Sequence, residues 1–201
     1  MISDQQEEEV RAFVAVELPE AARLVLGGLV QALRQAKLRP LRPVNPEGIH
    51  LTLKFLGNVA VSRLAQVTAA MDQAADGAGP MEVELRGLGG FPNPRSPRVL
   101  WVGIEGDTAK LQALAVVLEE RLLAAGFPAE TRAFAPHLTL GRMRDGATAR
   151  ERRLAGEALQ RLAGQEQAPL PVTGISLMQS ELGPQGAHYT LLHHAPLGGG
   201  S

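Results

Sequence analysis

Hydrophobic and polar positions alternate in blocks along the chain, and the blocks change period in a regular way. Arg11 to Leu18 (RAFVAVEL) is a short, nearly continuous apolar run of the kind a buried strand makes. Pro19 then opens a helical pattern that continues to about Lys37. Pro40, Pro43 and Pro46 mark an extended connection into a strand at Ile49 to Leu56. A helix is predicted from Ser62 to Ala75, closed by the breaker Gly77-Ala78-Gly79-Pro80, and a strand from Met81 to Leu88 (MEVELRGL) follows. The series then runs again: strand Arg98 to Ile104, helix Thr108 to Ala125, strand His137 to Arg142, helix Ala149 to Ala163, strand Leu170 to Met178. A last strand, Ala187 to His193, has no counterpart in the first half.

The repetition has a fixed offset. His50 and His137 lie 87 positions apart, as do Arg11 and Arg98 at the starts of the opening strands, and Gly87 and Gly174 near the closing strands. Two long units are too few for a solenoid. They predict an α/β (α+β) fold with two β-α-β-α-β halves, about 11–90 and 98–178, related by a pseudo-twofold axis. Helices lie outside and a cleft opens between two sheets. Residues 11–194 form a single bilobal domain, and 1–10 and 195–201 are expected to be flexible ends.

Composition narrows the chemistry. The 201 residues carry 20 basic and 21 acidic side chains, a net charge of −1, which argues against coating long nucleic acid but not against gripping one or two phosphates. With no cysteine, disulfides, zinc–thiolate centres and thiol nucleophiles are excluded. The start lacks the basic-then-apolar pattern of a secretory signal, and no apolar run approaches membrane-spanning length. A cytoplasmic protein without a membrane partner is expected.

The halves share an identical tetrapeptide, His50-Leu51-Thr52-Leu53 and His137-Leu138-Thr139-Leu140. In a strand alternate side chains face opposite ways, so His and Thr of each copy share a face and both Leu turn to the core. Two such faces across a cleft suit displacement at phosphorus. One imidazole takes a proton from the attacking oxygen and the other gives one to the departing oxygen, while the threonine hydroxyls donate to non-bridging oxygens. One His-x-Thr is most simply a half-buried polar pair; two copies at symmetric places point to function.

Gly48-Ile49-His50-Leu51-Thr52-Leu53-Lys54-Phe55-Leu56-Gly57, Phe134-Ala135-Pro136-His137-Leu138-Thr139-Leu140-Gly141-Arg142, and Phe91-Pro92 before Val99-Leu100-Trp101-Val102-Gly103 resemble the two-histidine phosphoesterases. The resemblance is to the bacterial and archaeal RNA 2′,3′-cyclic phosphodiesterases, also called 2′-5′ RNA ligases. It runs from Arg11 to about Leu192, with no departure in either motif. It implies hydrolysis of RNA 2′,3′-cyclic phosphates to 2′-phosphates, with His50 as proton donor, His137 as acceptor, and Thr52 and Thr139 on the phosphate. Reverse, ATP-independent 2′-5′ joining is implied too. Tetrapeptide symmetry alone does not decide between the two histidine roles.

Other residues are less constrained. Lys54 has the strand parity of His50, placing it on the phosphate side unless it is a solvated residue at a strand end. Arg142 is an attractive phosphate ligand, but strict alternation puts it on the Leu138 face unless the strand ends or twists near Gly141. Phe55, Phe91, Phe134 and Tyr189 are candidates to stack on a base, with core packing the simpler role for most. His188, His193 and His194 read as surface or edge-strand residues, since no metal-ligand spacing joins them. No metal or cofactor is called for. Expected partners are RNA ends or small cyclic nucleotides, and the chain is expected to act as a monomer without an obligatory protein partner. Rival readings are the same chemistry on a 2′-5′ oligonucleotide, a cyclic nucleotide or an ADP-ribose cyclic phosphate, an idle RNA-binding module, and, weakest, a metallohydrolase.

Overall fold

A computed structural model describes residues 7–183 and 186–198. Among the described residues nine strands and four α-helices follow one another as β1 (Glu9–Val16), α1 (Glu20–Gln35), β2 (Leu41–Pro43), β3 (Leu51–Ala60), α2 (Leu64–Asp76), β4 (Met81–Phe91) and β5 (Val99–Gly106), then α3 (Thr108–Ala124), β6 (His137–Met143), α4 (Ala149–Gln160), β7 (Ala168–Val172), β8 (Gly174–Gly183) and β9 (Gly186–Pro196). Each predicted element is present. The proline-rich connection contains the short strand β2, and the predicted strand 170–178 divides at Thr173 into β7 and β8.

The strands form two antiparallel sheets, ordered β3-β1-β8-β9 and β2-β6-β5-β4-β7. The triplets β3-β1-β8 and β6-β5-β4 correspond under the sequence repeat. Each contains the closing strand of the other half: β4 pairs with β5, and β8 with β1. Helices are exchanged as well. α1 follows β1 of the first sheet yet packs against β6 and β7 of the second, while α3 follows β5 and packs against α2 and β3. The sequence halves are therefore interlocked, and neither corresponds to one sheet with its own helices.

Amphipathic patterning explains how each helix seats. In α1 the buried residues Ala22, Leu26, Leu29, Val30 and Leu33 recur at helical spacing along one stripe. Helix α4 starts at a capping box, in which Thr148 and Glu151 satisfy each other's backbone amides. Leu51, Leu138 and Leu140 are fully buried in the core beneath the helices. The two sheets come together where β3 approaches β6, with Cα atoms of the two strands within 8 Å.

Parts of the segments 1–10 and 195–201, expected to be flexible, are tied into the fold. Glu9 and Val10 already pair with Ala60 and Val59. At the other end Ala195 and Leu197 are buried, and the amides of Leu197 and Gly198 donate to Thr173 and Ala75 carbonyls. Residues 1–6 and 199–201 lie outside the described residues. No described helix is long and apolar enough to cross a membrane.

Candidate active site

The two tetrapeptides lie along the seam between the sheets, and each is followed by the same irregularity. Across β1 and β3, Ala15 is opposite Thr52 but Val14 is opposite Lys54, leaving Leu53 as an extra residue. Across β5 and β6, Trp101 is opposite Thr139 but Leu100 is opposite Gly141, leaving Leu140 extra. A bulge of one residue reverses the parity of everything after it. The two bulged leucines are again 87 positions apart.

This reversal decides the fate of both basic candidates. Lys54 does not face the cleft: it lies beside Val14 on the core side and is only 5% exposed. Its Nζ donates to Oε1 of Glu119 on α3 at 2.9 Å and to the Pro128 carbonyl at 2.8 Å. Glu119 also accepts from the Glu130 amide at 2.6 Å. The pair thus fastens β3 to α3 and to the segment that leads into His137. Arg142 moves the opposite way, onto the same face as Thr139, between Val99 of β5 and Arg42 of β2. Its equivalent in the first half is Phe55, which the other bulge turns to the open face beside Phe13.

The histidines have unlike surroundings. The His50 ring stacks on Phe13 at 4.3 Å between centroids with planes 20° apart, and the edge of Tyr189 meets it at 4.9 Å and 84°. Tyr189 reaches it because β9 passes over the three-residue turn Pro46–Gly48, where only glycine fits: a Cβ on Gly48 would lie 2.8 Å from the tyrosine ring. This enclosure is hostile to an imidazolium, and burial lowers the His50 pKa to about 4. His137 is held by a hydrogen bond. Its Nδ1 lies 2.7 Å from the Ala135 carbonyl oxygen, so Nδ1–H is the donor and Nε2 carries the lone pair, with no hydrogen-bond partner among the described residues. Phe91 meets this ring edge-on at 5.1 Å, and Trp101 lies at 6.3 Å.

Thr52 and Thr139 are half-buried, and their hydroxyls have no partner among the described residues. Phe55, with 62% of its surface exposed, and Phe91 are available to a ligand, whereas Phe134 packs against the core. Phe13 and Trp101 are contributors the sequence pattern did not single out. Phe13 is hidden in a run that is apolar on both faces. The signal for Trp101 is Gly89, directly opposite it on β4, where any side chain would collide with the indole. His188, His193 and His194 sit on the edge strand β9, where His193 pairs with Asp72 at 2.7 Å and His194 Nδ1 lies 3.0 Å from Ser176. Among the described residues, no group of three or more His, Asp or Glu side chains is placed to hold a metal ion.

Comparison with known proteins adds independent findings. The family described as the 2′-5′ RNA ligase superfamily matches residues 19–184. A Methanothermobacter thermautotrophicus protein named RNA 2′,3′-cyclic phosphodiesterase is 36% identical over 182 residues, 90% of this chain and 96% of its own. A Thermus thermophilus protein of the same name is 37% identical over 197 residues, covering 94% and 91%. Among solved structures, TT0787 of Thermus thermophilus superposes with a TM-score of 0.71 at 32% identity, over 93% of this chain and 97% of that one. E. coli LigT complexed with ATP gives 0.68 at 26% identity, over 96% and 99%.

Proposed function

Because the chain belongs to the 2′-5′ RNA ligase superfamily, we propose that it hydrolyses RNA 2′,3′-cyclic phosphate ends to 2′-phosphates with His50 and His137 as its acid–base pair. The observation that carries this reading is the doubled His-x-Thr at the seam of the sheets, with one histidine tautomer set by a backbone carbonyl.

The reaction needs a proton taken on one side of phosphorus and one delivered on the other. The Ala135 carbonyl holds His137 with its proton on Nδ1 and a lone pair on Nε2, which is what a proton acceptor requires. His137 activates water against phosphorus; His50 protonates the departing 3′ oxygen. Burial keeps His50 neutral in the free protein. The anionic phosphate of a bound substrate offsets that burial and recharges the ring, so that the donor is armed only when something is there to receive its proton. Thr52 and Thr139 donate to the non-bridging oxygens, and Arg142 adds positive charge on the lobe of His137.

The test compares natural and activated substrates. On RNA ending in a 2′,3′-cyclic phosphate, His50→Ala and His137→Ala should each lower the rate by ~10²–10⁴-fold and the wild type should release a 2′-phosphate. On a nitrophenyl phosphodiester, whose leaving group needs no proton, His50→Ala should recover far more activity than His137→Ala. The opposite order reverses the two roles. Near-wild-type turnover of RNA by a folded His50→Ala protein removes the mechanism.

A further inference from the structure

Away from the histidines, beyond the end of β6, the molecule gathers arginines on one surface. Arg98, Arg142, Arg144 and Arg152 line a hollow of about 310 Å³ with a single acidic neighbour, Asp145. Beside it, a second depression is lined by Arg95, Arg150 and Arg153. Ser96 and Arg152 separate the two, joined by a 3.4 Å hydrogen bond. For a chain with a net charge of −1, this is a strong local excess of positive charge.

The arginines fall into two groups. Arg152 is committed to the fold, since it also donates to the Ala147 carbonyl at 2.6 Å, and Arg153 pairs with Glu157 at 3.6 Å. Arg98, Arg142 and Arg144 have no carboxylate partner among the described residues. Three unneutralised guanidinium groups around one hollow repel one another, and an anion held between them relieves that repulsion. Guanidinium planes pair with phosphate oxygens two at a time.

The hollow lies on the strand that carries His137. Arg142, which lines it, is turned to the Thr139 face by the Leu140 bulge. From His137 to Arg142 is about 16 Å along the strand at ~3.3 Å per residue. A nucleotide with its cyclic phosphate at the histidines does not extend that far; the strand attached to it does.

We propose that the Arg98–Arg144 hollow binds a backbone phosphate of the RNA strand upstream of the reacting end, so that the preferred substrate is an oligonucleotide and not a mononucleotide. The inference rests on reading the cleft as the site of the RNA end. It assigns the hollow to affinity alone, since a single nucleotide seated at the histidines does not reach it.

The double variant Arg98→Gln/Arg144→Gln separates the two readings. Its substrates are an RNA octamer ending in a 2′,3′-cyclic phosphate and the mononucleotide cytidine 2′,3′-cyclic phosphate. KM for the octamer should rise at least tenfold, while kcat/KM for the mononucleotide stays unchanged. In parallel, anisotropy of a labelled octamer ending in a 2′-phosphate, titrated at several salt concentrations, reads binding without turnover. With the one phosphate contact of the hollow removed, the slope of log K against log salt should flatten by about 0.7. Arg98→Lys/Arg144→Lys should keep the slope and part of the affinity. Equal losses on both substrates, or an unchanged KM and salt slope for the octamer, overturn the proposal. Should the wild type turn over neither substrate while the variant still shows the flattened slope, the hollow stands and the phosphodiesterase reading falls.

Discussion

At the scale of single residues, the two histidines are alike in sequence and unlike in environment. His50 lies between the face of Phe13 and the edge of Tyr189, where an imidazolium loses hydration and gains no hydrogen-bond partner among the described residues. His137 gives its Nδ1 proton to a carbonyl and keeps Nε2 free. The difference is measurable by histidine NMR. In the free protein the His50 ring should titrate near 4, well below the ordinary value of 6.5, and adding a 2′-nucleotide product should move it upward. The sign carries into stability. Between pH 6.5 and 4 the unfolded chain takes up a proton that the folded chain refuses, so stability falls as pH falls through that window and levels off below it. A His50→Gln protein should lose less thermal stability over the same range. A His50 that titrates near 6.5 without ligand contradicts the enclosure described here.

At the scale of elements, the bulges at Leu53 and Leu140 do more than irregular pairing usually does. Each allows the His-x-Thr tetrapeptide to keep His and Thr on one face, then reverses the face for the residues that follow. In the first half this buries Lys54, which ties β3 to Glu119 and to the carbonyl of Pro128, ahead of His137. In the second half it turns Arg142 to the Thr139 face. Repeat symmetry is thereby broken where it matters, with an aromatic ring (Phe55) on one side and a guanidinium on the other. Removing Lys54 strands Glu119, which is 28% exposed and keeps the Glu130 amide, so the cost falls short of the ~3 kcal/mol of a fully buried pair. Lys54→Ala should therefore lower the unfolding midpoint in urea, with KM for a cyclic mononucleotide nearly unchanged. A large rise in KM without loss of stability is the signature of a phosphate ligand, and places Lys54 in the cleft after all.

At the scale of the whole molecule, the halves are interlocked through exchanged strands and helices, so the cleft is one unit and not a hinge between independent lobes. Such a cleft can open the cyclic phosphate with either of two nucleophiles, water or an RNA hydroxyl. If the 5′-hydroxyl of a second RNA replaces water, it loses its proton to His137 and attacks phosphorus. The 3′ oxygen leaves with a proton from His50, and a 2′-5′ linkage forms. The cyclic phosphate supplies the bond energy, so joining should proceed weakly without ATP. The check is incubation of a cyclic-phosphate RNA with a 5′-hydroxyl RNA in the absence of nucleotide, followed by nuclease mapping of the junction. A strict requirement for a nucleoside triphosphate contradicts the mechanism.

Much of this was determined by the sequence by itself. Duplicated His-x-Thr motifs, an 87-residue offset and alternating strand and helix patterns are legible along the chain, and local patterning specifies the elements and the duplication. Which sheet β4 and β8 join, which face Lys54 and Arg142 occupy, and which histidine is enclosed are matters of tertiary structure. Strand exchange leaves no local trace, because a strand reads the same whichever neighbour it pairs with. A bulge is defined by the register of two strands distant in sequence, so strict alternation, applied to one strand alone, placed Lys54 on the wrong face. Identical tetrapeptides acquire different chemistry only when Phe13, Tyr189 and the Ala135 carbonyl are brought against them, and those neighbours are supplied by the fold.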